Sequence, residues 1–302
     1  MLFSTIWPLF ALICLGFVLA RAGFPSTDFW PAAERANYFL LFPALLVANL
    51  AEAPVRDPAV LRLGGAAAVA ICLAAMLMMV LRRVRPMSPA RFGPAVQGVV
   101  RFNTYLGLAI TGSLAGSDGL GRGAVLLAVA VPLVNVLSIL ALTDGRRAPG
   151  VTAILGPILR NPLILACLLG LGLALSGLGL PFGIGRFLDL VAQASLPLGL
   201  LCVGAALRPG ALGREVIPLV AVSAARLLAM PVLALLVGRA FGLQGVEALV
   251  LVVFAAIPTA ATSYVLTRQM GGDAPYMAGI VTLQTLLSVA TIPLMLALLG
   301  LP

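Results

Sequence analysis

The sequence predicts an all-α integral membrane protein: ten transmembrane helices in two inverted five-helix repeats, with the fourth and ninth helices broken where they cross. Three observations carry that prediction: an apolar composition, ten apolar runs of spanning length, and prolines that recur at one constant offset between the two halves. Of 302 residues, 62% are hydrophobic and 10% charged, with a mean hydropathy of +1.14. So few polar side chains cannot clothe a water-exposed surface, and lipid is the expected outer solvent. The net charge of +9 comes from arginine, without lysine or histidine, and most arginines fall in short segments between apolar runs. That distribution is a topology signal, whereas nucleic-acid binding would need a continuous basic face.

Runs able to cross about 30 Å of hydrocarbon occur at 3–20, 37–51, 63–81, 93–116, 123–142, 161–180, 186–207, 216–239, 245–268 and 276–299. The first ends in Ala20-Arg21-Ala22 like a signal peptide, but Met1 to Thr5 carry no positive charge and Arg21 follows the run. A retained helix is therefore expected. The second run is interrupted at Pro43 and the seventh at Pro197, while the fourth and ninth hold polar clusters near their middles. Those are the patterns of backbone broken around a cavity rather than exposed to lipid. The odd-numbered connections carry twelve arginines, Arg82, Arg83, Arg85, Arg146 and Arg147 among them, against five in the even-numbered ones. That excess places the odd connections in the cytoplasm and both termini outside it.

At a shift of 154 residues Pro8 falls on Pro162, Gly16 on Gly170, Pro43 on Pro197 and Thr104 on Pro258. The last helices align at a shift of 150, with Asn135 to Ser138 on Thr285 to Ser288. The predicted division is 1–145 for the first repeat, 146–160 for a cytoplasmic linker and 161–302 for the second repeat. Five helices per copy oblige the halves to enter the membrane from opposite sides.

Inside the fourth run, Arg101-Phe102-Asn103-Thr104-Tyr105 puts a permanent cation and three hydrogen-bonding side chains among apolar residues. An intramembrane ionisable group of this kind is a functional-site hypothesis. Arg101 lies about 12 Å of helix rise from the cytoplasmic end, near the midplane. In the ninth run Pro258 should open the helix, leaving Thr259, Thr262 and Ser263 to satisfy freed carbonyls or a ligand. Two half-helix N-termini then add partial positive charge to Arg101, and together they favour an anion such as a carboxylate. Arg226 is either a second anion contact or a tie to backbone carbonyls. The intramembrane amides Asn49 and Gln284 serve equally as ligands or as helix-packing contacts. Trp7, Trp30 and Tyr38 read as interface anchors.

No Asp or Glu lies deep in a run by this reading, so a buried proton relay is not expected, and neither is a metal site or a cofactor. No nucleophile, base and orienter set suggests an enzyme. The four cysteines read as buried thiols.

At these residues the sequence resembles the auxin efflux carrier family, related to the plant PIN auxin exporters and to the fold of the bile acid:sodium symporters. The resemblance rests on RFNTYLGLA at 101–109, PTAATSYVLTRQMGGD at 258–273, TLQTLLSVATIPLMLALL at 282–299 and FLLFPALLVANLA at 39–51. It implies a secondary carrier of a small organic anion, auxin-like or dicarboxylate, working by elevator-like alternating access, in a bacterial inner membrane and compatible with a homodimer. The crossover would lie at Asn103-Thr104 and Pro258. An anion channel or a non-transporting sensor on the same scaffold is the alternative. The acidic residues that the symporters place around sodium are missing from this chain.

Overall fold

The computed structural model describes residues 2–143, 156, 159–181, 183–213 and 216–301. Most of the linker predicted at 146–160 lies outside them. Among the described residues every regular element is helical. Helix α1 is Leu2–Arg21. Helix α2 runs through 29–51 as Phe29–Ala36, a π turn at Asn37–Leu41, and Phe42–Ala51. Helices α3 (Pro58–Val84), α4 (Pro89–Val100) and α5 (Thr104–Leu142) complete the first half. The second half holds α6 (Pro162–Ser176), α7 (Ile184–Ala205) and α8 (Val216–Ala240), followed by α9 (Gly245–Ala256), α10 (Thr262–Gln269) and α11 (Ala274–Leu298).

Local chemistry sets several of these starts. The Asp57 carboxylate accepts from the Ala59 amide at 2.8 Å, and Asn161 accepts from Leu163 at 2.9 Å. Asp273 accepts from Tyr276 at 3.0 Å. Each cap is followed by a proline in the first turn, where its missing N–H costs nothing. Within α5 the chain bends at Ala115-Gly116, and Gly116 at φ +58° takes a conformation that a side chain would strain.

By length and apolarity, six helices can cross a membrane. The ten expected runs are not matched one to one, for physical reasons. The fourth and fifth join through the Gly116 bend into Pro89–Leu142, the second is divided by a π turn, and α6 and α9 are short. The second run also begins earlier than expected, at Phe29, because nothing between Asp28 and Pro43 ends the helix.

The helices form two groups. Helix α1 packs along α7, and α2 packs along α6. Gly16 lies against the backbone of Leu201 and Gly204 against that of Ile13, so a side chain at either would strike main chain. Gly170 lies in the same way against Val47 and Leu50. In the other group α9 packs on α5 and α8, α3 on α5 and α8, and α11 on α4. The outer face of α3 exposes Leu73, Met76, Leu77 and Val80, a surface suited to lipid. Cys14 and Cys72 are exposed on outer faces, which corrects the expectation of four buried thiols; Cys167 and Cys202 are buried, and all four are free.

Candidate functional site

The site is built from two helix interruptions. Helix α4 ends at Val100, residues 101–103 are extended, and α5 starts at Thr104 with Asn103 as its cap, whose Oδ1 accepts from the Leu106 amide at 3.2 Å. Helix α9 ends at Ala256, and residues 257–260 run irregularly through Pro258 before α10 begins at Thr262. The interruptions touch: the Asn103 amide donates to the Pro258 carbonyl at 2.8 Å. Backbone groups freed by one break are thereby partly satisfied by the other, as burial in an apolar interior demands.

Around this contact the side chains form a connected net. Gln284 accepts from the Thr259 amide and donates to the Gly98 carbonyl, both at 2.9 Å. The Thr259 hydroxyl donates to the Gln97 carbonyl at 2.9 Å and lies 3.5 Å from the Ser263 hydroxyl. Gln97 in turn donates to Thr267 at 2.9 Å. Thr259, Ser263 and Gln284 are almost wholly buried and belong to this inner net.

Arg101 stands at the edge of the net. Its Nη1 donates to Gln97 Oε1 at 3.3 Å and its Nη2 to Thr262 Oγ1 at 3.5 Å, both long for charged hydrogen bonds. Arg101, Thr104, Tyr105 and Thr262 line a cavity of about 530 Å³, which α2, α5, α10 and the start of α6 enclose. Glu34 lines the same cavity and accepts from the Tyr105 hydroxyl at 3.3 Å. Arg35, Tyr38, Asn135, Arg160, Asn161 and Gln269 contribute the rest of its polar wall. Helix α7 does not reach this cavity. It borders a second one of about 720 Å³, together with Asn49, Ser113, Ser117 and Pro197. The two cavities adjoin α5 less than one helical turn apart, at Tyr105 and at Leu108. Between them Tyr105 stacks edge-on against Phe42 at 4.8 Å, and Gly199 provides the space for its ring.

The predicted residues therefore separate. Arg101, Thr104, Tyr105 and Thr262 come together on one cavity, and Asn49 faces the other, with its amide donating to Leu45 at 2.8 Å. Asn103 and Pro258 form the contact between the breaks. Arg226 reaches neither of these two cavities: all three guanidinium nitrogens donate to backbone carbonyls. Pro43 lies in the first turn of the Phe42–Ala51 segment and Pro197 in that of Ser195–Ala205, each just after an irregular turn. Tyr38, expected as an interface anchor, lines the Arg101 cavity.

Glu34 is the residue that sequence reasoning misses. Hydropathy puts it in a connection, but the continuation of α2 back to Phe29 carries it to the wall of the cavity that Arg101 also lines. The available signal is Asp28 followed by Pro31, a helix-start pattern running without a breaker into the second apolar run.

Apolar helices of spanning length, packed around a polar double break that borders a cavity, suit a multi-pass membrane transport protein. Residues 151–296 match the family model described as membrane transport protein. Over 96% of each chain, this one is 24% identical to an uncharacterized transporter of Methanothermobacter thermautotrophicus. The second half of the chain is thus similar to membrane transport proteins and its whole length to a transporter, in line with the resemblance to auxin efflux carriers.

Proposed function

We propose that the protein is a secondary transporter of a small organic anion, with Arg101 as its principal charge contact. The observation that carries this reading is the Arg101 guanidinium, half-buried at a helix break, bordering a cavity and held, among the described residues, by two long side-chain contacts. A permanent cation in such a place is costly unless an anion completes its bonding. Thr104, Tyr105 and Thr262 offer hydroxyls beside it. Arg35 and Arg160 outnumber Glu34 on the same wall, so the cavity favours negative charge.

Ten membrane crossings in two inverted repeats belong to the same proposal. Under the 154-residue shift, Gly16 on Leu201 becomes Gly170 on Val47, so one contact predicts the other. The pairing of α1 with α7 and of α2 with α6 is the exchange that a two-fold axis between the halves would produce. Cross-connection bonds respect the sidedness as well. Arg91 pairs with Asp273 at 3.1 Å, joining odd connections, and Arg122 pairs with Glu247 at 2.5 Å, joining even ones. Arg35 and Arg160 on its wall support assigning the Arg101 cavity to the odd-connection side, which the arginine count makes cytoplasmic, with Ser117 and Asp189 bordering the cavity toward the other. Alternating access would move the barrier around Tyr105 and Phe42 between these cavities.

The test is uptake by proteoliposomes of a panel of labelled carboxylates, with counterflow exchange to separate a carrier from a channel. One panel member should show saturable flux and counterflow; transport of organic cations alone would overturn the reading. Arg101→Gln should weaken that substrate's binding by about 10- to 100-fold, the worth of a charged hydrogen bond. Unchanged affinity would reduce Arg101 to a structural group.

A further inference from the structure

Arg226 is 1% exposed and sits in a π turn, Ala225–Ala229, inside α8. Its Nε donates to the Ile257 carbonyl at 2.7 Å, Nη1 to Val99 at 3.0 Å and Nη2 to Phe254 at 2.5 Å. Val99 belongs to the last turn of α4, Phe254 to the last turn of α9, and Ile257 caps α9. One guanidinium thus gathers the terminal carbonyls of both half-helices that end at the crossing. Each helix C-terminus carries about half a negative charge, so two converging ends amount to about one. Arg226 supplies one positive charge among them. No carboxylate among the described residues pairs with Arg226. A cavity of about 20 Å³ remains beside it, enough for about one water and too small for a hydrated ion.

In carriers built on discontinuous helices, unwound carbonyls and half-helix C-termini are where sodium is coordinated. We infer that Arg226 is a resident cation occupying the negative pole of the crossing in place of a coupling metal ion, so that the crossing is held together without sodium. The guanidinium suits that position because it is planar, always charged and weakly hydrated, and it presents donors in several directions to carbonyls of different chain segments. Single π turns inside α-helices are frequent at functional sites. The inference uses the crossing alone and is independent of which anion is carried.

Melting of the purified full chain in detergent tests it, comparing sodium chloride with choline chloride at equal ionic strength. The wild type should melt at the same temperature in both salts. Arg226→Ala should melt lower by at least about 5 °C, and millimolar guanidinium or sodium should recover part of the loss relative to choline. Stabilisation of the wild type by sodium, an unaltered melting point for R226A, or a lowered one that no cation raises would each overturn the resident-cation role. Where R226A does not accumulate, R226K and R226Q separate charge from hydrogen bonding. The charged lysine must melt above the neutral glutamine, and equality or the reverse order overturns the inference. None of these measurements involves a transported substrate, so their failure and a failure of the anion-carrier reading are distinguishable.

Discussion

Gln284 shows how a single side chain can hold two backbones. Its amide receives the Thr259 N–H and donates to the Gly98 carbonyl, so it bridges the two interruptions from α11. Gln284→Leu would leave a buried donor and a buried acceptor unpaired, at a cost of about 1–3 kcal/mol each. Denaturant or thermal unfolding should reveal that loss, and a melting point equal to wild type would show that the bridge is dispensable. Arg101 is visible in the sequence because a charge inside an apolar run is conspicuous whatever surrounds it. Arg226 is conspicuous there for the same reason and Gln284 as an intramembrane amide, but the role of each stays open between ligand and structural contact. Their partners lie 25 to 186 positions away in the chain, so no local pattern could assign them.

Among the elements, α1 with α7 and α2 with α6 depend on glycines that admit backbone. Gly16→Leu and Gly170→Leu should each destabilise by about 1–3 kcal/mol or more through overpacking. If the halves are related as proposed, the losses should be comparable, and thermal melting of the two variants compares them directly. A harmless G170L beside a damaging G16L would count against the two-fold relation. The matching glycines and prolines of the two halves can be read from the sequence because sterics tie those residue types to particular positions. Helix ends are less legible. Nothing in composition distinguishes a bend at Gly116 from a connection, and hydropathy ends the second run at Asn37 where hydrogen bonding carries the helix back to Phe29. That boundary is what leaves Glu34 outside the cavity when only hydropathy is considered.

Across the whole molecule, cavities on either side of the Tyr105–Phe42 contact predict opposite accessibility. After replacement of the exposed Cys14 and Cys72, cysteine at Asn135 and cysteine at Ser117 should react with a membrane-impermeant thiol reagent from opposite faces of the membrane. Labelling of both from one face would refute the sidedness derived from the arginines. Composition alone conveys that this is a multi-pass membrane protein, since so apolar a surface has no other stable solvent. The polar clusters announce a cavity, but its walls arise from packing between segments distant in the chain, so its lining cannot be read from hydropathy.

That separation also bears on how the chain is made. When the first half has left the ribosome, Val99 and Asn103 still lack Arg226 and Pro258, which are 127 and 155 residues further on. For that interval the membrane holds a broken helix with open carbonyls and a stranded Arg101. Late-forming contacts of this kind slow folding and expose intermediates. The first half accordingly reaches its final hydrogen bonding only once the second has been made.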